Sequence, residues 1–231
     1  MPMEQAENKD LTRDIILRVS PKRNTLIVEE QKPGGAVAYK EISPLELYFA
    51  ITNSFTSKDF LSSGFLPENC LHVSMNSAER LFVIWNPELR ADVTYKDVEY
   101  PNFPFPRLVF GIRMLEGGKV ADCSIGVVAD EKPRPETLMF HYPFSNVYPD
   151  GAVCSGNNIM PRYRKLSALR HFPRYLLELP DNDDMYSPKN NKLGLGHKEL
   201  LEHLKDKDPA YYYSDILLPN GKTLDDFICG R

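Results

Sequence analysis

Two residues eight positions apart, Asn146 and Cys154, have the chemistry for acyl transfer. A cysteine sulfur can carry an acyl group, and a carboxamide N–H₂ can face the oxyanion that develops when that group is attacked. Pro149-Asp150-Gly151 lies between them. Proline presets φ and glycine accepts φ > 0, so the backbone reverses there, and the chain leaving Asn146 is expected to fold back toward Cys154. Gly151 and Gly156 frame the cysteine, which places it on a tight, accessible segment rather than inside a strand. The competing reading of Cys154 is a small buried apolar side chain, the usual fate of a free cysteine. For Asn146 the alternative is a side chain that holds its loop by bonding nearby backbone, a role compatible with the chemical one.

With these residues in view, Asn146 to Cys154 (Asn-Val-Tyr-Pro-Asp-Gly-Ala-Val-Cys) resembles the active-site segment of ubiquitin-conjugating enzymes. There, His-Pro-Asn is followed by a tyrosine, a glycine and the thioester cysteine. The Asn-to-Cys spacing, Tyr148, Gly151 and Val153 match that pattern; Phe144-Ser145 stands where it has His-Pro. The resemblance is closer to the bacterial conjugating-enzyme-like family of PRTRC system protein B, prokaryotic ubiquitin-conjugating family D, which also lacks that histidine. Pro143-Phe144, Asn146-Val147, Asp150-Gly151 and Cys154-Ser155-Gly156-Asn157 carry it. Upstream, Gly64-Phe65-Leu66-Pro67, Val83-Ile84-Trp85-Asn86-Pro87, Pro106-Arg107-Leu108-Val109-Phe110 and Arg134-Pro135 fall in the family's order. The similarity covers most of the chain and is strongest from Phe65 to Pro161.

The resemblance implies that Cys154 receives a ubiquitin-like protein as a thioester from an activating enzyme, and that Asn146 supports its transfer. ATP would be spent by the activating enzyme, so no cofactor is expected on this chain. It also implies a bacterial or mobile-element operon encoding the ubiquitin-like protein, the activating enzyme and a metal-dependent deconjugating peptidase. A histidine downstream of the cysteine is implied as well, and His171 and His197 are the candidates by position. His197 follows Gly194-Leu195-Gly196 at an expected helix start, where it would be mobile enough to serve; His171, beside Phe172, also reads as an ordinary packing histidine. Acids of Asp181-Asn182-Asp183-Asp184 would alternatively orient an incoming lysine. Two other functions stay open: an idle adaptor that keeps the fold but forms no bond, and a free-standing cysteine hydrolase, which needs a Cys–His pair that the sequence does not place.

Composition narrows the field further. At 231 residues the chain can bury a sizeable core. The net charge of −4 argues against a general nucleic-acid binder. No apolar run approaches the ~20 residues that span a bilayer. Met1 to Asp10 lacks a signal-peptide core, so no membrane partner and a cytoplasmic location are expected. Cys70, Cys123, Cys154 and Cys229 lie far apart without zinc-like or redox spacing, and reduced thiols are the default. Cys70 and Cys123 read as core, and Cys229 as an exposed tail thiol. Neither Gly194-x-Gly196 nor Gly117-Gly118 is followed by the Lys-Ser/Thr of a phosphate loop.

The elements that position the pair follow from pattern. An α/β (α+β) fold is expected, with a ubiquitin-conjugating-like antiparallel meander, flanking helices and extra N-terminal strands. Residues 1–42 read as an N-terminal β extension packed on a main domain of residues 43–231, whose catalytic segment is 137–172. Within the extension, residues 1–10 read as a disordered arm, and β-branched runs at 14–19, 25–29 and 36–39 as strands. Ser43-Pro44-Leu45-Glu46 opens a helix with a buried face of Leu47, Tyr48, Ile51 and Phe55. Strands are expected at 71–75 and at 81–85, the latter central. The run 100–106, rich in proline, is excluded from a central strand and reads as an ordered crossing or a recognition segment. A hairpin at 116–119 joins strands 108–115 and 121–129, and strand 137–142 delivers the chain to the site. Beyond it, 163–172 reads as a helix ended or kinked by Pro173. Residues 179–196 form a long polar loop that would fold over the thioester. A helix follows at 197–207, an extended aromatic run at 211–218, and a turn into a short terminal helix.

Overall fold

Extended hydrophobic runs in this chain are short, and among the described residues they pair into three antiparallel sheets. The computed structural model describes residues 15–19, 25–32, 35–54, 65–76 and 79–230. It divides into two compact units, Met1–Ser62 and Ser63–Arg231. The expected arm at 1–10 lies outside the described residues.

In the first unit, β1 (Ile15–Val19), β2 (Leu26–Gln31) and β3 (Val37–Ile42) form a meander in that order. Leu26 and Ile42 are cross-strand partners, and both are buried. The helix α1 (Pro44–Ser54) starts where its capping chemistry says it should. Glu46 N–H donates to Ser43 Oγ at 3.1 Å, and Ser43 N–H donates back to the Glu46 carboxylate at 2.7 Å. The face expected to be buried is largely exposed, Leu47 alone among its described members being half-buried. Tyr48 and Ile51 are 61% and 49% exposed, because helical spacing specifies which residues share a face but not what covers it; Phe55 lies outside the described residues.

The second unit is built on a six-stranded sheet. Its strands are β4 (Cys70–Met75), β5 (Glu79–Asn86), β8 (Leu108–Leu115), β9 (Val120–Val128), β10 (Leu138–Phe140) and β11 (Pro219–Thr223), in the order β11-β10-β9-β8-β5-β4. All pairings are antiparallel. The expected meander through β8, β9 and β10 is present, and β5 is internal, with Phe82, Val83 and Ile84 fully buried. Gly117 and Gly118 close the β8–β9 turn at φ 77° and 81°. At Gly118 a Cβ would stand 2.0 Å from the Tyr163 carbonyl oxygen, so only glycine fits.

Three expectations are corrected in this unit. The proline-rich run is, as expected, not a central strand, but it is not a crossing either: residues 100–105 lie in β7 (Val98–Phe105), which among the described residues pairs only with β6 (Leu89–Tyr95) in a two-stranded hairpin. Proline removes a donor that a central strand needs, and a strand with one neighbour tolerates the loss. The helix expected to end at Pro173 begins there instead. A 3₁₀ segment, Leu166–His171, leads into α2 (Phe172–Leu177), and Pro173 occupies its first turn, where a missing N–H costs nothing. The aromatic run 211–218 is not extended: Tyr212–Ile216 form a π-helical turn. Tyr212 is fully buried there and donates to the Pro104 carbonyl at 2.8 Å. That long-range contact overrides the local preference for strand. The remaining helices, α3 (His197–Leu204) and α4 (Leu224–Cys229), lie where the sequence puts them. Leu200, Leu201 and Leu204 of α3 join the core formed by β5 to β9. Among the described residues no helix is long and apolar enough to cross a membrane.

Candidate active site

The turn chemistry of Pro149-Asp150-Gly151 folds residues 146–154 into a small hairpin. Gly151 N–H donates to the Tyr148 carbonyl at 2.9 Å, and Tyr148 N–H donates to Ala152 at 2.8 Å. Val147 bridges Val153, and Cys154 N–H donates to the Asn146 carbonyl at 2.8 Å. Gly151 has φ 92°, in the region that favours glycine, and its carbonyl accepts from Ile125 N–H at 2.8 Å. With the Val153 N–H donating to the Cys123 carbonyl at 2.9 Å, this ties the returning arm to β9. Directly opposite residues of an antiparallel pair project to one side, and Asn146 and Cys154 line the same cavity of about 300 Å³.

Local packing fixes the entry to the hairpin. Phe144 is buried and meets Phe103, Phe105, Tyr142 and Tyr212 edge-on at 5.4–6.3 Å between ring centroids. Ser145 donates its hydroxyl to the Asp181 carboxylate. The Phe-Ser pair that replaces His-Pro thus anchors the loop by an aromatic cluster and one charged hydrogen bond. Asn146 itself adopts φ 60°, which asparagine tolerates better than most residues. Its backbone N–H donates to the Asp184 carbonyl at 2.9 Å.

The long polar loop is ordered against this hairpin, and Pro180, Asp181, Asn182 and Asp184 line the cavity with Cys154. Asp181 is its centre. Oδ1 accepts from Ser145, from Asn146 Nδ2 at 2.9 Å and from Asn182 N–H at 3.0 Å. The Asp181 backbone is bridged to β6: its N–H donates to Thr94 at 2.8 Å, and its carbonyl accepts from Lys96 N–H at 3.0 Å. Asp183 holds the next stretch of loop by accepting from Tyr95 Oη (2.6 Å) and Lys96 Nζ (2.5 Å). The lysine hydrogen bond first, then that of the tyrosine, holds this carboxyl below its usual range.

The two candidate histidines are placed differently from each other and from the cysteine. His171 is exposed at the end of the 3₁₀ segment, and Arg170 Nε donates to its Nε2 at 3.2 Å. His197 opens α3 and is 3% exposed, so it is not the mobile residue expected from the preceding glycines. Tyr186 stacks on its ring at 4.6 Å, and Tyr95 meets it edge-on at 4.9 Å. Neither histidine lines the cavity that holds Cys154. His197 reaches that cavity's wall indirectly, with Nε2 3.2 Å from Asp181 Oδ2.

The four thiols are environmentally distinct. Cys154 is half-buried in the cavity lining, Cys123 is buried, Cys70 is half-buried and Cys229 is exposed. Burial pushes the Cys123 thiol up to about 12 and raises Cys70 as well. The Tyr148 phenol is held above its ordinary value first by negative charge on Cys154, then by partial burial, by hydrogen bonding to the same sulfur and by Asp150. The tyrosine is therefore a neighbour of the thiol. The hub role of Asp181, 35 residues from Asn146, was not legible from the turn chemistry that pairs Asn146 with Cys154. The only sequence signal was a cluster of acids in an unusually long loop.

An antiparallel sheet, flanking helices, and a hairpin that pairs an asparagine with a half-exposed cysteine together define an E2-like α+β domain. The chain belongs to prokaryotic E2 family D, whose family model matches residues 47–175, more than half of the chain. Comparison with curated proteins and with solved structures gives no match. Family membership supports a conjugating-enzyme-like role, with interaction with a ubiquitin-like protein and an activating enzyme in general terms.

Proposed function

We propose that this protein is a ubiquitin-like-protein conjugating enzyme that carries its cargo as a thioester on Cys154. The observation that carries this reading is the shared cavity. Asn146 and Cys154 are cross-hairpin neighbours that open into one space, with Cys154 partly accessible. The Cys154 sulfur attacks the thioester carbonyl on the activating enzyme; a new S–C bond forms and the activating enzyme's thiolate leaves. An acceptor amine or hydroxyl then attacks the same carbonyl. The electron pair moves to the acyl oxygen, and collapse expels the Cys154 thiolate while the acceptor's proton passes to that thiolate or to solvent, as the amide or ester forms. A carboxamide donor beside that oxygen contributes ~10²–10³ in rate in other acyl-transfer sites. Asn146 Nδ2 carries two hydrogens. One is engaged by Asp181, which leaves the second for the acyl oxygen.

The partners are a ubiquitin-like protein and an activating enzyme that spends the ATP, with a metal-dependent deconjugating peptidase in the same system. Resemblance to PRTRC system protein B supports that assignment. His197 and His171 act, in this reading, away from the sulfur: neither lines its cavity, so direct proton transfer from Cys154 falls to another group or to solvent. The test is charging in the presence of the activating enzyme, the ubiquitin-like protein and ATP, run with and without reductant beside Cys154→Ala. A reductant-sensitive adduct absent from the variant is expected. Binding of the ubiquitin-like protein without an adduct, while the activating enzyme charges normally, would make the chain an idle adaptor.

A further inference from the structure

Asp181 and buried His197 face each other at ion-pair distance, 3.2 Å between Oδ2 and Nε2. His197 Nδ1 lies 2.8 Å from the Asn182 carbonyl oxygen. A carbonyl only accepts, so Nδ1 carries a hydrogen. Nε2 then faces Asp181 Oδ2 at 3.2 Å, an ion-pair distance, while the His197 side chain is 1% exposed and Nε2 has no hydrogen-bond partner. A bare nitrogen lone pair against a carboxylate would be repulsive here. An imidazolium at this distance would pair with the carboxylate, and the two charges would cancel.

That neutrality matters because of what else Asp181 holds. Its other oxygen fixes the Asn146 carboxamide and the Ser145 hydroxyl. An uncompensated carboxylate at this point would oppose a negative oxygen developing on an acyl group at Cys154. We infer that Asp181 is a positioning residue for the Asn146 amide, and that His197 serves the reaction by neutralising Asp181 rather than by touching substrate. The inference rests on the acyl-transfer reading above, and it assigns the buried histidine a role that requires no movement toward the sulfur.

The test loads Cys154 by thiol exchange with a synthetic glycyl peptide α-thioester, with Cys154→Ala subtracting acylation at the other cysteines. Discharge to free lysine is then followed by mass spectrometry. Asp181→Ala should load as wild type but discharge about a hundredfold more slowly, the lower range for loss of one oriented donor. It should cost nothing further when added to Asn146→Ala, because both changes remove the same interaction. His197→Gln leaves the carboxylate uncompensated and should slow discharge similarly. Asp181→Asn/His197→Gln restores neutrality and hydrogen bonding, and should recover to within about threefold of wild type. A merely structural role would not produce that recovery. Should Asp181→Ala fail to fold, the contrast between His197→Gln and the double variant decides. Discharge of Asp181→Ala at the wild-type rate, additive losses with Asn146→Ala, or no recovery in the double variant would overturn the inference while leaving the thioester intact. A loaded wild-type protein that reacts with lysine no faster than a free glycyl-cysteine thioester would overturn the acyl-transfer reading and this inference with it.

Discussion

The Cys154 backbone N–H donates to the Asn146 carbonyl across 2.8 Å. This single bond closes a loop of nine residues and fixes which side chain faces which. It depends on the turn between them, and that turn depends on one glycine. Gly151 sits at φ 92°, and a Cβ there would meet the Ile125 carbonyl oxygen at 3.0 Å. Gly151→Ala should therefore cost ~1–2 kcal/mol from backbone conformation alone, more if Ile125 cannot give way. Urea denaturation monitored by tryptophan fluorescence measures it; an unchanged midpoint would mean that the hairpin does not need its positive φ.

Burial ranks the four thiols, and the ranking can be read by alkylation. The thiolate is the reactive form. With its pKa pushed up to about 12, Cys123 has on the order of one molecule in ten thousand ionised at pH 8. Raising pH toward 12 increases that fraction, so its labelling should climb steeply only at strongly alkaline pH, provided that the fold survives. Mass-resolved iodoacetamide labelling at pH 8 should modify exposed Cys229 and half-exposed Cys154 well before Cys123. Early modification of Cys123 would show that the β9 side of the core opens.

Phe144 occupies the place where the ubiquitin-conjugating pattern has histidine, and it is one of the most connected aromatic rings in the core. Truncation to alanine should cost ~3–5 kcal/mol, as other buried Phe→Ala changes do. Leucine should cost less because it leaves a smaller cavity. Because the ring lies two residues before Asn146, both variants should also lower charging of Cys154 in proportion to unfolding and no further. Comparison of thermal midpoints with charging yields checks this, and loss of charging in a stably folded Phe144→Leu would give the ring a role in the site beyond packing.

Much of the core architecture was legible because its signals are local. The hairpin at 146–154 comes from Pro149-Asp150-Gly151, the β8–β9 turn from Gly117-Gly118, and α1 from the reciprocal bonds of Ser43 and Glu46. The failures share a different cause: each depends on a distant partner. Pro101 and Pro104 rule out a central strand, as observed, but not a strand with one neighbour, and only the pairing with β6 reveals that one. Tyr212 is turned inward by the Pro104 carbonyl, more than a hundred residues away. Pro173 could end a helix or begin one, and only the preceding 3₁₀ segment decides. Within the site, the sequence paired Asn146 with Cys154 because they share a turn. It could not pair Asn146 with Asp181, or Asp181 with His197, because those contacts are made when the loop docks on β6.

The central claim is that an acyl bond forms at Cys154 and not elsewhere, and mapping that bond tests it most directly. The protein charged by its activating enzyme would be digested under mildly acidic, non-reducing conditions and its peptides resolved by mass spectrometry. The account predicts the C-terminal residue of the ubiquitin-like protein joined to the peptide that contains Cys154, with Cys70, Cys123 and Cys229 free. A bond on exposed Cys229 with Cys154 unmodified, or no bond while the activating enzyme is fully charged, would contradict it.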